Sequence, residues 1–549
     1  SDLGAGPPES SVRGKGVEVS ATTRERVAPI VAGAAAAAVG ISGAITVVEI
    51  DGLTEAFVQR SDVSSQGDLR IVADDTATIN TGAGVLSGGF LGAGGTFAVN
   101  AIRNTTRARA SGSTLNATGL TLIEADSDEA IDTLVGTAAG GAIALAGAVS
   151  VNTIETTTEA LTRTTSGRDT LINQDAAFQP GGTFNPGSGQ SVRVEADDAA
   201  RIGARGGSLA GGVFGAGVSV DVGAIRNRTV AEIDDDTLVF AQGNIDVLAV
   251  EDRDVESTVV AGSGGVLALA GAFSVVSLGA ATDDDAAAAF DTDDAEQTDP
   301  NKDTLREQIN SDLRIRLPQL NTGDGAIATQ ARDKVQAMID AGSPTVDAAL
   351  STTAPSSTRT TAARIADATG SGTAAELVAG GNITISATTT YDVDVTAGTA
   401  TVGVGAGGIA TGTASVANRT EAEAGNFASL QAGGNVSISA ADRQKASSTQ
   451  STVLVVSGQL SLSGASGAIG TLSVASNTDA VLGSNAVIQA ADSASVTADY
   501  DANVNVEGRG LLVSGAAAGG VTTTATVGGF VDATLQDGAT VGGTGEVGS

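Results

Sequence analysis

One phrase recurs along the whole chain: a glycine, a short spacer, alternating aliphatics and a closing alanine. It reads GVEVSA to Ala21, GDLRIVA to Ala73, GLTLIEA to Ala125, GQSVRVEA to Ala196, GNIDVLA to Ala249, GNITISA to Ala387 and GNVSISA to Ala440, with a degenerate DSASVTA to Ala498. These anchor alanines lie 52, 52, 71, 53, 138, 53 and 58 residues apart. Eight units of about 52 residues constrain the fold more than any other feature. A repeat of this kind buries its apolar face by stacking on its neighbours.

A second phrase follows each anchor at period two: an aliphatic, a small or amide residue, Thr, then usually Ala. Ile50-Gly52-Thr54-Ala56, Ile102-Asn104-Thr106-Ala108, Ile154-Thr156-Thr158-Ala160 and Ile225-Asn227-Thr229-Ala231 come first. Leu278-Ala280-Thr282, Val416-Asn418-Thr420-Ala422 and Val474-Ser476-Thr478-Ala480 follow, and Val531 takes the Thr position in the eighth unit. The Thr stands 33 residues beyond its anchor in six units and 38 beyond in the seventh. From that Thr to the next anchor is normally 19 or 20 residues, but 38 after Thr158 and 105 after Thr282. Growth at one corner is what a stack permits, because an outside loop can lengthen without breaking it.

Between anchor and Thr phrase lie uncharged runs, among them 27–48, 134–154, 259–282 and 396–418. The first is long and apolar enough for a membrane-spanning helix. Its relatives point to strands instead. They are rich in Gly and β-branched residues and alternate, with Ile143, Leu145, Val149 and Val151 on one parity and Ala142, Ala144, Ala146 and Ala148 on the other. A strand apolar on both faces is expected to be buried on both. Two related slots carry charge, at Arg201 and Arg205 and at Glu507 and Arg509, which disfavours membrane insertion. A transmembrane barrel would need aromatic girdles that the chain lacks.

The expected fold is therefore all-β: a parallel β-solenoid, or β-helix, of eight wide or flattened units. Each unit is one large turn of three or more strands, with two smaller turns or a long hairpin as alternatives, and crossover is right-handed by default. A string of small β-sandwiches is the rival, weakened because a unit this short and poor in aromatics could hardly bury a core alone. Residues 1–282 hold units one to five, with a loop insertion at 163–188. Residues 283–380 form an acidic, partly helical insertion, in which Leu305, Ile309 and Leu313, then Val335, Met338 and Ile339, have helical spacing. Residues 381–549 hold units six to eight and lead into a truncated ninth. No charged leader opens the chain and neither end has an obvious polar cap, so a longer array or end-to-end stacking of copies is expected.

Composition narrows the function. With 63 acidic and 29 basic residues the net charge is −34, which disfavours nucleic acid and anionic lipid. The absence of Cys and His removes disulfides, thiolate zinc sites and Ser-His-Asp triads. Aromatics are 2%, with Tyr391 and Tyr500 the only ring hydroxyls, a poor inventory for the sugar platforms of polysaccharide-cleaving β-helices.

Acids recur just after the anchors: Asp74 and Asp75, Asp126, Asp197 and Asp198, Glu251 and Asp252, Asp442, Asp499. They read as a solvated edge that discourages aggregation, with calcium bridging as the alternative. A second cluster comprises Asp283, Asp284, Asp285, Asp299, Asn301 and Asp303, where Asp299-Asn301-Asp303 has the 1-3-5 spacing of a calcium loop. Thr304 and Asn310 stand where an EF-hand has Gly and Glu. No cofactor is required, and calcium is the one candidate. The Thr ladder reads as stacked hydroxyls that satisfy one another. An ice-binding face would need a wider array of Thr pairs than Thr156-Thr158 supplies. Asn104, Asn116, Asn227, Asn382, Asn418 and Asn435 open Asn-x-Thr/Ser triplets that read as turn and ladder chemistry.

GNITISA and GNVSISA, followed by strands of the GAVSVNTI type and an Asn-x-Thr step, resemble the giant repetitive extracellular proteins of bacteria. The chain is similar to filamentous-haemagglutinin-like and leukotoxin-type filamentous adhesins, over the eight units but not over 283–380. The resemblance implies a secreted or outer-cell-surface protein exported unfolded and without Cys. It also implies a structural role as stalk, filament or adhesin, with a host or cell-surface ligand as partner, and supplies no catalytic residues to carry over. A carbohydrate-active β-helix enzyme or a phage-type fibre is the alternative.

Overall fold

The computed structural model describes residues 11–165, 167–279, 360–368, 374–445 and 450–543, and these are almost entirely β-strand. Each unit has three parts. A base strand of a few residues comes first, such as Asp62–Ser65. An outgoing arm then leaves it, Leu69–Gly88 in the second unit, and a return arm, Leu91–Ser111, runs back. At about 3.3 Å per residue, an arm of this length reaches roughly 65 Å. The base strands form one nine-stranded sheet and the arms a second sheet of nineteen strands.

The strand pairings are parallel and join each residue to its counterpart in the next unit. The anchor alanines form one continuous ladder from Ala21 through Ala73, Ala125, Ala196, Ala249, Ala387 and Ala440 to Ala498. The all-β, parallel expectation holds, and the spacings read from sequence are the offsets of the register. The five extra residues of the seventh unit lie in its outgoing arm, between Val436–Gln444 and Ser451–Leu482.

The two insertions differ from expectation in different ways. The first does sit at the corner between return arm and next outgoing arm. Within it, Thr170–Ile172 is the base strand of the fourth unit and Ala176–Phe178 a 3-10 helix, with Phe178 buried against Phe184. The second interrupts the return arm itself. Thr229 pairs with Thr361 and Thr361 with Thr420, so Thr361, not Thr282, completes the fifth Thr phrase. Thr361–Ile365 and Glu376–Ala379, placed in the insertion 283–380 by sequence, are an arm strand and a base strand. The neighbouring units template this rejoining, since Thr229 and Thr420 offer one register only. The helical spacings at 305–313 and 335–339 lie outside the described residues.

The interior is striped along the arms. Nearest the base, Leu69, Ile71 and the anchor alanines pack against Leu115, Ala108 and their equivalents. Midway, Ile79, Ile131, Ile202 and Val255 pack against Ile102, Ile154, Ile225 and Leu278. Polar layers separate these apolar ones. Toward the tip the residues between the arms are mostly small, as around Ala144, Ala146 and Ala210, with Thr96 and Thr137 bonded to each other at 2.8 Å. This explains the alternation at 142–151: the alanines face in and the larger residues face out. The expectation that both faces are buried therefore fails in part, because many outward aliphatics at the tips, such as Leu86, Leu209 and Leu462, are exposed.

Glycine makes the tip turn. Gly89, Gly141 and Gly265 take φ near +155°, and a Cβ on Gly265 would lie 2.0 Å from the Gly212 carbonyl oxygen. Gly265→Ala should therefore lower unfolding free energy by about 2 kcal/mol in a urea titration. An unchanged midpoint would mean that the turn relaxes freely.

Candidate functional site

Two residues beyond each anchor alanine, the outgoing arm again faces inward. That position forms the ladder Thr23, Asp75, Ser127, Asp198, Glu251, Thr389, Asp442 and Tyr500. Across the interior stands the Thr phrase of the return arm. The carboxylates of the first ladder accept from the hydroxyls and amides of the second. Thr54 donates to Asp75 at 3.2 Å and Asn104 Nδ2 at 2.6 Å. Thr156 and Thr158 donate to Asp198 at 2.9 and 2.7 Å, joined by Asn227. Thr361 donates to Glu251, and Asn418 Nδ2 to Asp442 at 3.2 Å. The Thr-Asn phrase is thus the partner set of buried acids, and where the facing position is Thr the hydroxyls satisfy one another as expected, Thr54 with Thr23 at 2.7 Å and Thr389 with Thr361 and Thr420 at 2.8 Å.

Among the described residues, one cation enters this track. Arg253, fully buried, pairs with Glu251 and donates to Asn418 Oδ1 and, at 3.4 Å, to the Asn227 carbonyl. A second polar layer lies farther out. Thr81 donates to Asn100, which donates to Thr133 and Asn152 at 2.8 and 2.9 Å. Asn152, Ser150 and Ser257 converge on the buried Asp221.

Burial dominates the electrostatics. It pushes Asp198 up to about 7, helped by the charge of Glu251 and opposed by Thr158, Thr156 and Asn227. It pushes Asp442 up to about 6 against hydrogen bonds from Ser476 and Asn418. Asp75 and Asp221 rise for the same first reason, and Glu129, enclosed beside Ser127, rises strongly through burial and then through Asp198. Proton uptake is the chemistry this arrangement offers. These side chains lie enclosed between the two arms, out of reach of a macromolecular substrate.

The acids one residue beyond the anchor face outward. Asp74, Asp126 and Asp197 stack in register beside Glu124 and Glu195. Asp197 is pushed up to about 6 by partial burial and by the charges of Asp126 and Glu195. Arg24 pairs with Asp74 at 3.3 Å, Lys445 with Asp252 at 2.6 Å and Arg443 with Asp499 at 2.5 Å. The expected solvated edge is thus half right: one parity is outward, while Asp75, Asp198, Glu251 and Asp442 are interior.

The candidate calcium residues Asp283, Asp284, Asp285, Asp299, Asn301 and Asp303 lie outside the described residues. Among the described residues no group of three or more carboxylates is placed to hold a metal ion. Tyr391 is buried and Tyr500 faces inward at the eighth position of the acid ladder. Asn104, Asn116, Asn227 and Asn418 are buried, whereas Asn382 and Asn435 form an exposed corner ladder in which Asn382 Oδ1 accepts from the Asn435 backbone at 2.8 Å. Sequence reasoning missed Arg253, Glu129 and Asp221. Counting parity from the anchor alanine puts Arg253 and Glu129, four residues on, at inward positions, so that signal was present.

No described helix is long and apolar enough to cross a membrane. No family model, no curated protein and no solved structure matches this chain.

Proposed function

We propose that this chain is a non-catalytic structural segment of a bacterial extracellular or cell-surface filament or adhesin. In this reading the base sheet closes the paired arms into a flattened β-solenoid. The observation that carries it is the unbroken register: the anchor ladder runs through all eight units, and Thr540–Gly543 already pairs as the base strand of a ninth. A regular stack that spends its polar groups on holding its own arms together suits a spacer better than a catalyst. The Cys-free composition fits export.

The arms of the eighth unit support growth along the stack. Inward residues such as Val521, Val527, Val531 and Leu535 are exposed there, beside unpaired backbone groups that template further parallel pairing. A further in-register unit, from the same chain or another copy, would cover them. Calcium is not needed in this reading, since arginines and proton uptake relieve the outer acid ladder.

Negative-stain electron microscopy of the purified chain should show rods that lengthen with protein concentration. Compact particles of constant length that turn over a polysaccharide would sink the reading.

A further inference from the structure

Every unit carries its charges toward the base. The charge-free stretches centred on the tips are 27–48, 76–102, 133–154, 206–220, 257–282, 395–418, 446–478 and 510–531. The residue just past each tip turn forms a ladder running Ala38, Phe90, Ala142, Val213, Val266, Val404, Leu462 and Gly515, as the flanking pairings fix. Its large members are not covered: Phe90 is 72% exposed, Val213 61%, Val266 49%, Val404 49% and Leu462 67%. A soluble surface rarely lines up such residues without use.

We propose that this tip edge is an interface for a second copy of the chain, packed tip to tip and side by side. Charge placement decides the partner. With a net charge of −34, two copies repel wherever their charged faces meet. The tip is where they do not. On the outgoing arms the nearest charges are Arg509, six residues from the tip, Arg205, eight, and Asp132, Glu256 and Asp394, ten, which is roughly 20–30 Å along the arm. That is several Debye lengths at physiological salt, where one is about 8 Å. The same edge has no Lys or Arg to draw an anionic bilayer and no Trp or Tyr to seat in a lipid interface.

Size and shape agree. Eight units at about 4.8 Å each make an edge nearly 40 Å long. At roughly 15–20 Å wide it offers about 700 Å² per partner, close to the ~800 Å² of a standard interface. Beside the ridge runs a shallow groove of about 250 Å³ lined by Phe214, Leu267, Leu269, Gly405 and Ala406, able to receive a partner's aliphatic side chain. This interface is independent of growth along the stack: one widens the rod and the other lengthens it.

The chain has no cysteine, so one introduced thiol reports alone. Val213 and Val266 sit at the middle of the ladder and meet their mates whether the copies run parallel or antiparallel. Under mild oxidation the Val266→Cys variant should form a covalent dimer, while Gln59→Cys at the base end should not. At concentrations below those at which rods lengthen, sedimentation velocity of the unmodified chain should give twice 53.3 kDa, reduced to one copy by Val213→Asp/Val266→Asp/Val404→Asp with unchanged circular dichroism. A monomer at about 100 μM, or equal cross-linking at both positions, overturns the proposal. So does a chain that floats with phosphatidylcholine vesicles and remains a single copy. If the triple variant does not fold, the cross-linking contrast between Val266→Cys and Gln59→Cys still decides.

Discussion

Arg253→Met should cost the fold about 3–5 kcal/mol, the penalty for leaving a buried charge without its partner. Met keeps the length and apolar stem of the side chain but removes the guanidinium that pairs with Glu251 and holds the Asn418 amide. Asn418 in turn donates to Asp442, so one substitution unbalances acids in two units. The double variant Arg253→Met/Glu251→Gln should regain much of the loss, because it removes the stranded charge. Urea titration of the two variants and the parent measures this. If Arg253→Met were as stable as the parent, the interior acids would have to be neutral already and the ion pair immaterial.

Acidification should stabilise the protein, contrary to the usual behaviour of a chain rich in paired carboxylates. The sign follows from the direction of the shifts. A carboxyl whose folded pKa exceeds its unfolded one holds its proton more tightly when folded. Its stabilisation is complete below the unfolded pKa and is lost as pH rises through the folded one. Asp198 rises from 3.8 to about 7 and Asp442 from 3.8 to about 6, both enclosed. Glu423, half-buried, rises to about 7 through burial and its neighbour Glu421. From Asp198 alone, unfolding free energy should be about 2 kcal/mol higher near pH 5.5 than near pH 8. Glu159 sets the lower limit. Burial raises it, but Arg228 and Arg107 outweigh burial and hold it below its usual value. Its contribution is therefore lost as pH falls through that lowered value. Asp198→Asn should flatten the slope between pH 5.5 and 8. A parent protein whose stability is level or rises across that window would show that the interior acids stay ionised without cost.

Much of this fold was legible because stacking writes itself into spacing. The anchor alanines pair at the offsets counted along the chain, insertions included. Facing direction was written less openly. Asp74 and Asp75 are adjacent letters, yet one points to solvent and the other into the interior, and only parity from Ala73 separates them. The fifth Thr phrase was misassigned because Thr282 sits at the expected 33-residue distance, while the strand that completes the unit is resumed at Thr361. Spacing within one unit cannot reveal a break that the neighbouring units repair. The tips misled for another reason. Val149 and Ala148 are both apolar, and sequence does not record that the smaller one faces the interior, packed with Val135 and Ala98, while the larger one is left outside.

The parallel register also has a mechanical meaning. Each unit adds about 4.8 Å to the stack but holds about 52 residues, which is roughly 175 Å of extended chain. Every backbone bond between units runs along the direction of stacking, so tension applied along the stack would open one ladder at a time. Each opened unit would release more than thirty times the length it contributed. A stack built this way is a shock absorber, short at rest and able to release chain in steps before its covalent backbone is strained.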